Sequence, residues 1–523
     1  MSPWHLRWDA VFGIGRCCSK PGASEEYRMP NFILAIDQGT TGSTSLVMDT
    51  DGRTLGRANV EFPQHYPHPG WVEHEPDEIW GSVVSSIGRA LDQASILGHQ
   101  IEGIGITNQR ETTIVWDRVT QRPIHRAIVW QCRRTADVCA NLRRLGNEQR
   151  VRDATGLVID PYFSGSKVAW LLDNVHGARM RAERGDLAFG TVDTYLVHRL
   201  TGGRAHVTDV SNASRTLLMN LRELRWDSEM CDLFNVPPSM LPMIVGSAQI
   251  VGETHGVPGL PDGIPIAGIA GDQHAALFGQ NCLNVGDVKC TFGTGAFVLA
   301  NTGARPVASR YGLLTTVGWR IRDETAYALE GSAFIAGAAV QWLRDELGMI
   351  KSAAEIEPLA REVDSAGGVV FVPAMAGLGA PYWDAEARGL LCGLTRGTKK
   401  AHIAYAILEG IAHEVADLIE AMRDDMRASI VRIRVDGGAA ANDLLMQMQA
   451  DLAGITVERP RELETTARGA AMLAAVGLGL VGSAREASGM FSVNRTFQVE
   501  QTATKRENQR KAWAQAVLRA RTY

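Results

Sequence analysis

The 523-residue sequence predicts an α/β protein made of two similar halves around a central cleft. Three observations carry that reading. Short apolar runs of strand length alternate with longer segments of helical periodicity along most of the chain. A strand, a glycine- and hydroxyl-rich turn and a second strand occur near the start and again near residue 285, a weak internal echo. A chain of this length also exceeds what one core accommodates, so roughly two to four domains are expected.

The opening unit organises the rest. Residues 32–36 form an apolar run, and Leu46-Val47-Met48 a second one that ends at Asp49-Thr50-Asp51-Gly52. Between them lies Asp37-Gln38-Gly39-Thr40-Thr41-Gly42-Ser43-Thr44. Gly39 and Gly42 are expected to take positive φ and let backbone N–H groups converge on an anion, with the hydroxyls as further donors. A carboxylate beside a phosphate cradle repels the phosphate unless a cation lies between them. Asp37 therefore implies Mg²⁺, held through water. Read alone, the stretch is equally a threonine-rich hairpin turn.

Glu75-Pro76-Asp77-Glu78 opens a helix, with proline in its first turn and acids at the positive end of its dipole. Ile79, Val83, Val84, Ile87 and Leu91 share one face of it. Residues 101–106 form a buried strand that runs into Thr107-Asn108-Gln109-Arg110-Glu111, and a strand resumes over 112–116. Polar residues at a strand exit are where open α/β sheets bind ligands. Further strands are expected over 187–191, 265–270, 288–292 and 371–373, and helices over 273–278, 333–347, 403–422 and 444–453. The turns Phe292-Gly293-Thr294-Gly295 and Val435-Asp436-Gly437-Gly438 repeat the strand-then-glycine order. Residues 1–28 lack such periodicity, which suggests an appendage over 1–30. The two halves then span 31–283 and 284–523.

Composition excludes several classes. Hydrophobic residues at 45% and charged residues at 21% are those of a globular protein, and a net charge of −5 argues against nucleic acid as the main partner. The eight cysteines form no CxxC pair, so neither a zinc site nor a disulfide framework is suggested and a reducing, cytoplasmic compartment is expected. The longest apolar run, 469–481, is too short to span a bilayer. No G-x-x-x-x-G-K-[ST], HRD, DFG or HExxH motif occurs, so a nucleotide site must be built from glycine turns.

With these residues in view, the chain resembles the actin, Hsp70 and sugar-kinase superfamily. Asp37-Gln-Gly-Thr-Thr41, Phe292-Gly-Thr-Gly295 and Val435-Asp-Gly-Gly438 are similar to its two phosphate turns and adenosine turn. Pro69-Gly-Trp-Val-Glu-His74, Gly105-Ile-Thr-Asn-Gln-Arg-Glu-Thr112, Ile128-Val-Trp-Gln-Cys-Arg133, Asp160-Pro-Tyr-Phe-Ser-Gly165, Gly271-Asp-Gln273 and Gly377-Leu-Gly-Ala-Pro-Tyr-Trp-Asp384 resemble the glycerol kinases among the FGGY carbohydrate kinases. The resemblance runs from about residue 31 to 480. It implies two actin-like (ribonuclease H-like) domains and ATP-dependent phosphorylation of glycerol to sn-glycerol 3-phosphate, the entry step of glycerol catabolism. It also implies a homodimer or homotetramer.

By the same resemblance Arg110, Glu111, Tyr162, Asp272 and Gln273 would hold the glycerol hydroxyls, Trp130 and Phe297 would cover its carbons, and Asp272 would be the general base. Thr40, Thr41, Gly42, Thr44 and Thr294 would meet the phosphates, while Gly337, Gln341, Gly438 and Asn442 would line the adenosine pocket. Each residue also has a plainer reading: a surface pair for Arg110-Glu111, core aromatics for Tyr162 and Trp130, a packing glycine for Gly337 and a helix cap for Asp272. Gly42 and Thr44 depart from the family pattern, standing where well-known bacterial members carry serine and arginine. Some members bind fructose 1,6-bisphosphate through a basic loop. Here residues 254–265 carry only His255, so little response is expected. A pentulose kinase would share the nucleotide half, and an actin-like or Hsp70-like switch would need an added module that the sequence does not display.

Overall fold

A computed structural model describes residues 32–522. The appendage expected over residues 1–30 lies outside them. Two sheets of matching topology organise the described chain. The first uses β1 (Phe32–Gln38), β2 (Gly42–Asp49), β3 (Thr54–Glu61), β4 (Ile101–Asn108), β5 (Ala248–Glu253) and β6 (Pro265–Gly271), in the order β5-β6-β4-β1-β2-β3. Helix α1 (Pro76–Ala94) packs on it through Ile79, Val83, Ile87 and Leu91, as its periodicity predicts. β1 pairs antiparallel with β2 and parallel with β4, which in turn runs parallel to β6. The carboxyl ends of β1, β4 and β6 therefore open on one edge. Helix α2 (Asp272–Gly279) leaves directly from β6.

The second sheet uses β7 (Val288–Phe292), β8 (Ala296–Gly303), β9 (Leu314–Ile321), β10 (Glu324–Ala333), β11 (Arg432–Asp436), β12 (Thr456–Pro460) and β13 (Val493–Phe497), in the order β9-β10-β8-β7-β11-β12-β13. Its centre repeats the first sheet: β7 is antiparallel to β8 and parallel to β11, which is parallel to β12. The echo between residues 32 and 288 is thus a repeated hairpin at the middle of each sheet. The helices α3 (Gly337–Asp345), α4 (Lys400–Met426), α5 (Asp443–Ala453), α6 (Thr465–Gly477) and the late helix α7 (Ala503–Ala520) belong to this part of the chain. The helix expected over 333–347 is shorter than its periodicity suggests, because β10 keeps its ladder to Ala333 and α3 begins only at Gly337.

One helix crosses between the halves. α6 is lined by Ala467, Gly469, Ala470, Ala471, Ala474 and Ala475, and it packs on α2 and on the strands of the first sheet. The approach is close enough that a Cβ on Gly469 would come within 1.9 Å of the Ala275 carbonyl. Side chains this small let helix and sheet backbones touch, so a core containing Ile33, Ala35, Phe278, Leu299, Trp319 and Leu473 joins both halves.

Candidate active site

Asp37, Arg110, Glu111 and Asp272 lie at the open ends of β1, β4 and β6. β1 ends in Asp37-Gln38, and the hairpin to β2 closes with Gly39 N–H donating to the Gly42 carbonyl at 2.9 Å. Neither Gly39 nor Gly42 takes the positive φ expected of it. Glycine is required at Gly42 for space instead: a Cβ there would lie 2.9 Å from the Val60 carbonyl oxygen on β3. Thr41 is exposed. Thr40 accepts from Trp130 Nε1 at 3.0 Å, which fastens the expected wall of the glycerol pocket to the phosphate turn. Thr44 faces elsewhere; its buried hydroxyl accepts from Asn59 Nδ2 at 2.9 Å.

Arg110 and Glu111 follow β4 and are almost fully buried, so they are no surface pair. They do not serve each other either, the closest approach being 3.9 Å. Arg110 Nε forms an ion pair with Asp272 Oδ1 at 2.9 Å, while its Nη2 donates to the Tyr162 hydroxyl at 3.3 Å and both Nη groups donate to Glu330 on β10. Glu111 accepts from Arg215 Nε at 2.6 Å, and Arg215 Nη2 donates to Glu330 at 2.9 Å. Burial works against the charge of Glu330, but the two guanidiniums outweigh it and hold its carboxyl at about 2. Burial pushes Glu111 up, opposed by the same two arginines. Glu111 also adopts φ 59°, rare for a side chain of its size, with its carbonyl held by the hydroxyls of Ser164 and Thr113. Such a conformation survives only where its surroundings over-determine it.

Asp272 is the first residue of α2, and Gly271 occupies the cap position without a side-chain bond. The capping role therefore fails. Its Oδ1 accepts from the Gln273 backbone N–H at 2.6 Å and is ion-paired with Arg110 Nε, and the side chain keeps 30% of its surface exposed. Trp130 and Tyr162 stack edge-to-face, 5.6 Å between centroids, both partly exposed. Buried Lys167 donates to the carbonyls of Pro161, Tyr162 and Phe163, fixing the segment that carries Tyr162. Gln273 is drawn to the second half, where its carboxamide oxygen accepts from buried Lys289 on β7. Phe297, partly exposed, lies on β8 opposite Thr291.

The nucleotide residues form a second group. The Thr294 carbonyl accepts from the N–H groups of Ala336 and Ala338, and the Gly293 carbonyl from Gly337, so the turn after β7 rests on the start of α3. Gly337 does pack closely, but against the phosphate turn itself: its Cβ would meet the Gly293 oxygen at 2.6 Å. Gln341, one helical turn further, is exposed. Gly437 takes φ 83° with its backbone over Phe292, which sets exposed Gly438 beside the same turn. Asn442 has a structural task as well, its Oδ1 capping α5 by accepting from Leu445 N–H at 2.9 Å.

Gly337→Ala is expected to raise the KM for ATP several-fold and leave the KM for glycerol unchanged, because the added methyl pushes the Gly293–Gly295 turn without reaching Arg110. Steady-state kinetics in both substrates checks it.

Asp37 tests whether a cation fits. Burial, together with the Asp272 and Glu464 carboxylates, raises its carboxyl to about 8, with Arg57 opposing. Positive charge is what this position lacks. No cluster of three or more metal-ligating side chains occurs among the described residues. That suits Mg²⁺, which keeps several waters and binds through one or two carboxylates plus substrate phosphates.

Arg215, Glu330, Lys167 and Lys289 are the residues that sequence reading missed. A lone acid in the apolar run 327–333 was a usable signal, since a charge buried in a strand must be paired.

Comparison with known proteins gives the family of the chain. The model of the FGGY family of carbohydrate kinases, N-terminal domain, matches residues 32–279, and that of the C-terminal domain matches 288–478. The chain belongs to the FGGY family of carbohydrate kinases. This FGGY kinase is 55% identical to a glycerol kinase of Myxococcus xanthus over 94% of its own length and 99% of the relative's. It is 51% identical to glycerol kinase 2 of Thermotoga maritima over 94% and 98%. The structure of Plasmodium falciparum glycerol kinase with ADP superposes with a TM-score of 0.89 at 35% identity, covering 94% of this chain and 98% of that one. A gluconate kinase of Lactobacillus acidophilus, 21% identical with a TM-score of 0.84 over 95% and 99%, shares the fold.

Proposed function

We propose that this kinase transfers the γ-phosphoryl group of ATP to a terminal hydroxyl of glycerol, giving sn-glycerol 3-phosphate and ADP. The observation that carries the reading is the buried Arg110–Glu111–Asp272 cluster at the strand exits, beside the turn that bears Thr40. Glycerol is neutral and small, so fixed donors and acceptors must hold it, and Arg110, Glu111, Tyr162 and Gln273 supply them, with Trp130 and Phe297 against its carbons. Asp272 Oδ1 is already engaged, which leaves Oδ2 to accept the hydroxyl proton as oxygen attacks phosphorus. The bond from phosphorus to the β-bridging oxygen breaks in line, and ADP leaves.

Thr40, Thr41 and Thr294 donate to the phosphates across the cleft, and Gly337, Gln341, Gly438 and Asn442 line the adenosine pocket. Mg²⁺, when bound, neutralises phosphate charge, and Asp37 is the side chain that would hold it through water. Thr44, spent on Asn59, contributes at most its hydroxyl hydrogen. Domains over 31–283 and 284–523 closing on both substrates would keep water, the competing nucleophile, out. The reading further places the enzyme in the cytoplasm as a homodimer or homotetramer. Among the described residues no helix is long and apolar enough to cross a membrane.

The test is coupled ADP release with ATP and a panel of glycerol, other polyols and ketopentoses. Turnover that depends on glycerol supports the proposal. Preference for a pentulose, or ATP consumption indifferent to any alcohol, overturns it.

A further inference from the structure

The substrate arginine is held from the opposite sheet. Arg110 follows β4 of the first sheet, whereas Glu330 lies on β10 of the second, 220 residues away in sequence. Glu330 accepts Arg110 Nη1 at Oε2 (2.5 Å) and Arg110 Nη2 at Oε1 (3.2 Å), a fork-on-fork pair, and Oε1 also accepts Arg215 Nη2 at 2.9 Å. All three side chains are at most 2% exposed. A guanidinium has five N–H donors. Three of those of Arg110 are given up, one to Tyr162 and two to Glu330, while Nε faces Asp272 Oδ1 at 2.9 Å as an ion pair.

We infer that Glu330 is a positioning residue for phosphoryl transfer: it occupies the fork of Arg110 and thereby keeps that arginine from closing bidentately on the base, Asp272. The inference rests on the glycerol kinase reading above. Its physical basis is competition. The shortest approach of Arg110 to Asp272 is Nε to Oδ1, neither Nη group hydrogen-bonds that carboxylate, and Oδ2 is left for the substrate hydroxyl. With Glu330 gone, the carboxylate closest to the Arg110 guanidinium is Asp272, at 2.9 Å against 3.9 Å for Glu111, and a bidentate arginine–carboxylate pair is the strongest arrangement available to it. Both carboxylate oxygens would then be occupied and the base would be weaker. Because the holding group belongs to the second sheet, the donor geometry at the glycerol site depends on contact between the two halves. Arg215 is the balancing cation, shared between Glu330 and Glu111.

The experiment compares Glu330→Gln with the double variant Arg215→Met/Glu330→Gln, measuring thermal stability, kcat, both KM values and the pH profile of kcat. Gln fills the same volume but releases the second guanidinium bond. Glu330→Gln is expected to lose roughly 10²-fold in kcat, the effect of a misplaced reacting group, with a smaller change in KM for ATP. The acid limb of its pH profile should also move to lower pH, since a base closed bidentately by a guanidinium takes up a proton less readily. The double variant removes one charge of each sign and also takes the guanidinium from Glu111, so it should not recover kcat. If the double variant restores kcat along with stability, Glu330 merely balances Arg215 and the inference is wrong. Wild-type kcat in a stable Glu330→Gln protein overturns it as well. Wild-type protein serves as the control for the underlying reading: if it shows no glycerol-dependent turnover, that reading fails before this one is tested.

Discussion

Asp272→Asn is expected to lower kcat for glycerol phosphorylation by roughly 10²–10⁴-fold, the usual contribution of a general base. The surroundings of Asp272 make the comparison clean. Asparagine can accept from the Gln273 N–H through its Oδ1, as the carboxylate does now. The preceding Gly271 is anchored separately, its N–H donating to the Ser211 hydroxyl at 2.9 Å, and Ser211 is in turn held by Asp209. Backbone position therefore does not depend on the charge of Asp272. What asparagine lacks is the capacity to take a proton. KM for glycerol should change far less than kcat, because an amide still hydrogen-bonds a hydroxyl. Near-normal kcat with normal thermal stability would remove Asp272 from the mechanism.

Asp37→Asn is expected to abolish most turnover and at the same time to stabilise the ligand-free protein at alkaline pH. Burial and two neighbouring carboxylates raise Asp37 from 3.8 to about 8. Between those values the folded protein binds the proton more tightly than the unfolded chain, so this group's contribution to stability declines as pH rises from about 4 to about 8. Asparagine removes that term. The wild-type minus variant difference in Tm, measured without ligand, should grow more negative across this window and level off above it. Mg²⁺ with a non-hydrolysable ATP analogue should reverse the order, raising Tm of the wild type more than that of the variant. A variant stabilised equally by Mg²⁺ and analogue would exclude Asp37 from holding the cation, whatever its activity.

Much of the fold was legible because it is written locally. The run 32–36, the glycine turn and the run 46–48 became a β-hairpin, so the plain reading as a hairpin and the reading as a phosphate turn describe the same element. The helix at Pro76 and the strand ending at Gly271 lie close to where apolar spacing, proline and charge placed them. Local pattern also brought out Asp37, Arg110 and Glu111, at or just after the ends of apolar strands, whereas Asp272 and Thr294 entered through the family resemblance.

The partners of those residues were not legible, because a hydrogen bond between positions far apart leaves no periodicity behind. Sequence spacing put Arg110 beside Glu111; three-dimensional packing gave Arg110 to Glu330 and Glu111 to Arg215, over separations of 220 and 104 residues. Gly42 was read as a conformational glycine and proved to be a steric one, a distinction that depends on β3 lying against it. The small-residue face of α6 was visible as composition, yet only packing against α2 and the first sheet explains why its backbone must come so close. Thus the sequence by itself determined the elements, the turns and the acids that border the cleft, through interactions among near neighbours. Tertiary structure decided which charge answers which, because a buried ion must be paired by whatever the fold brings within reach, and reach is set by the chain's path rather than by its order.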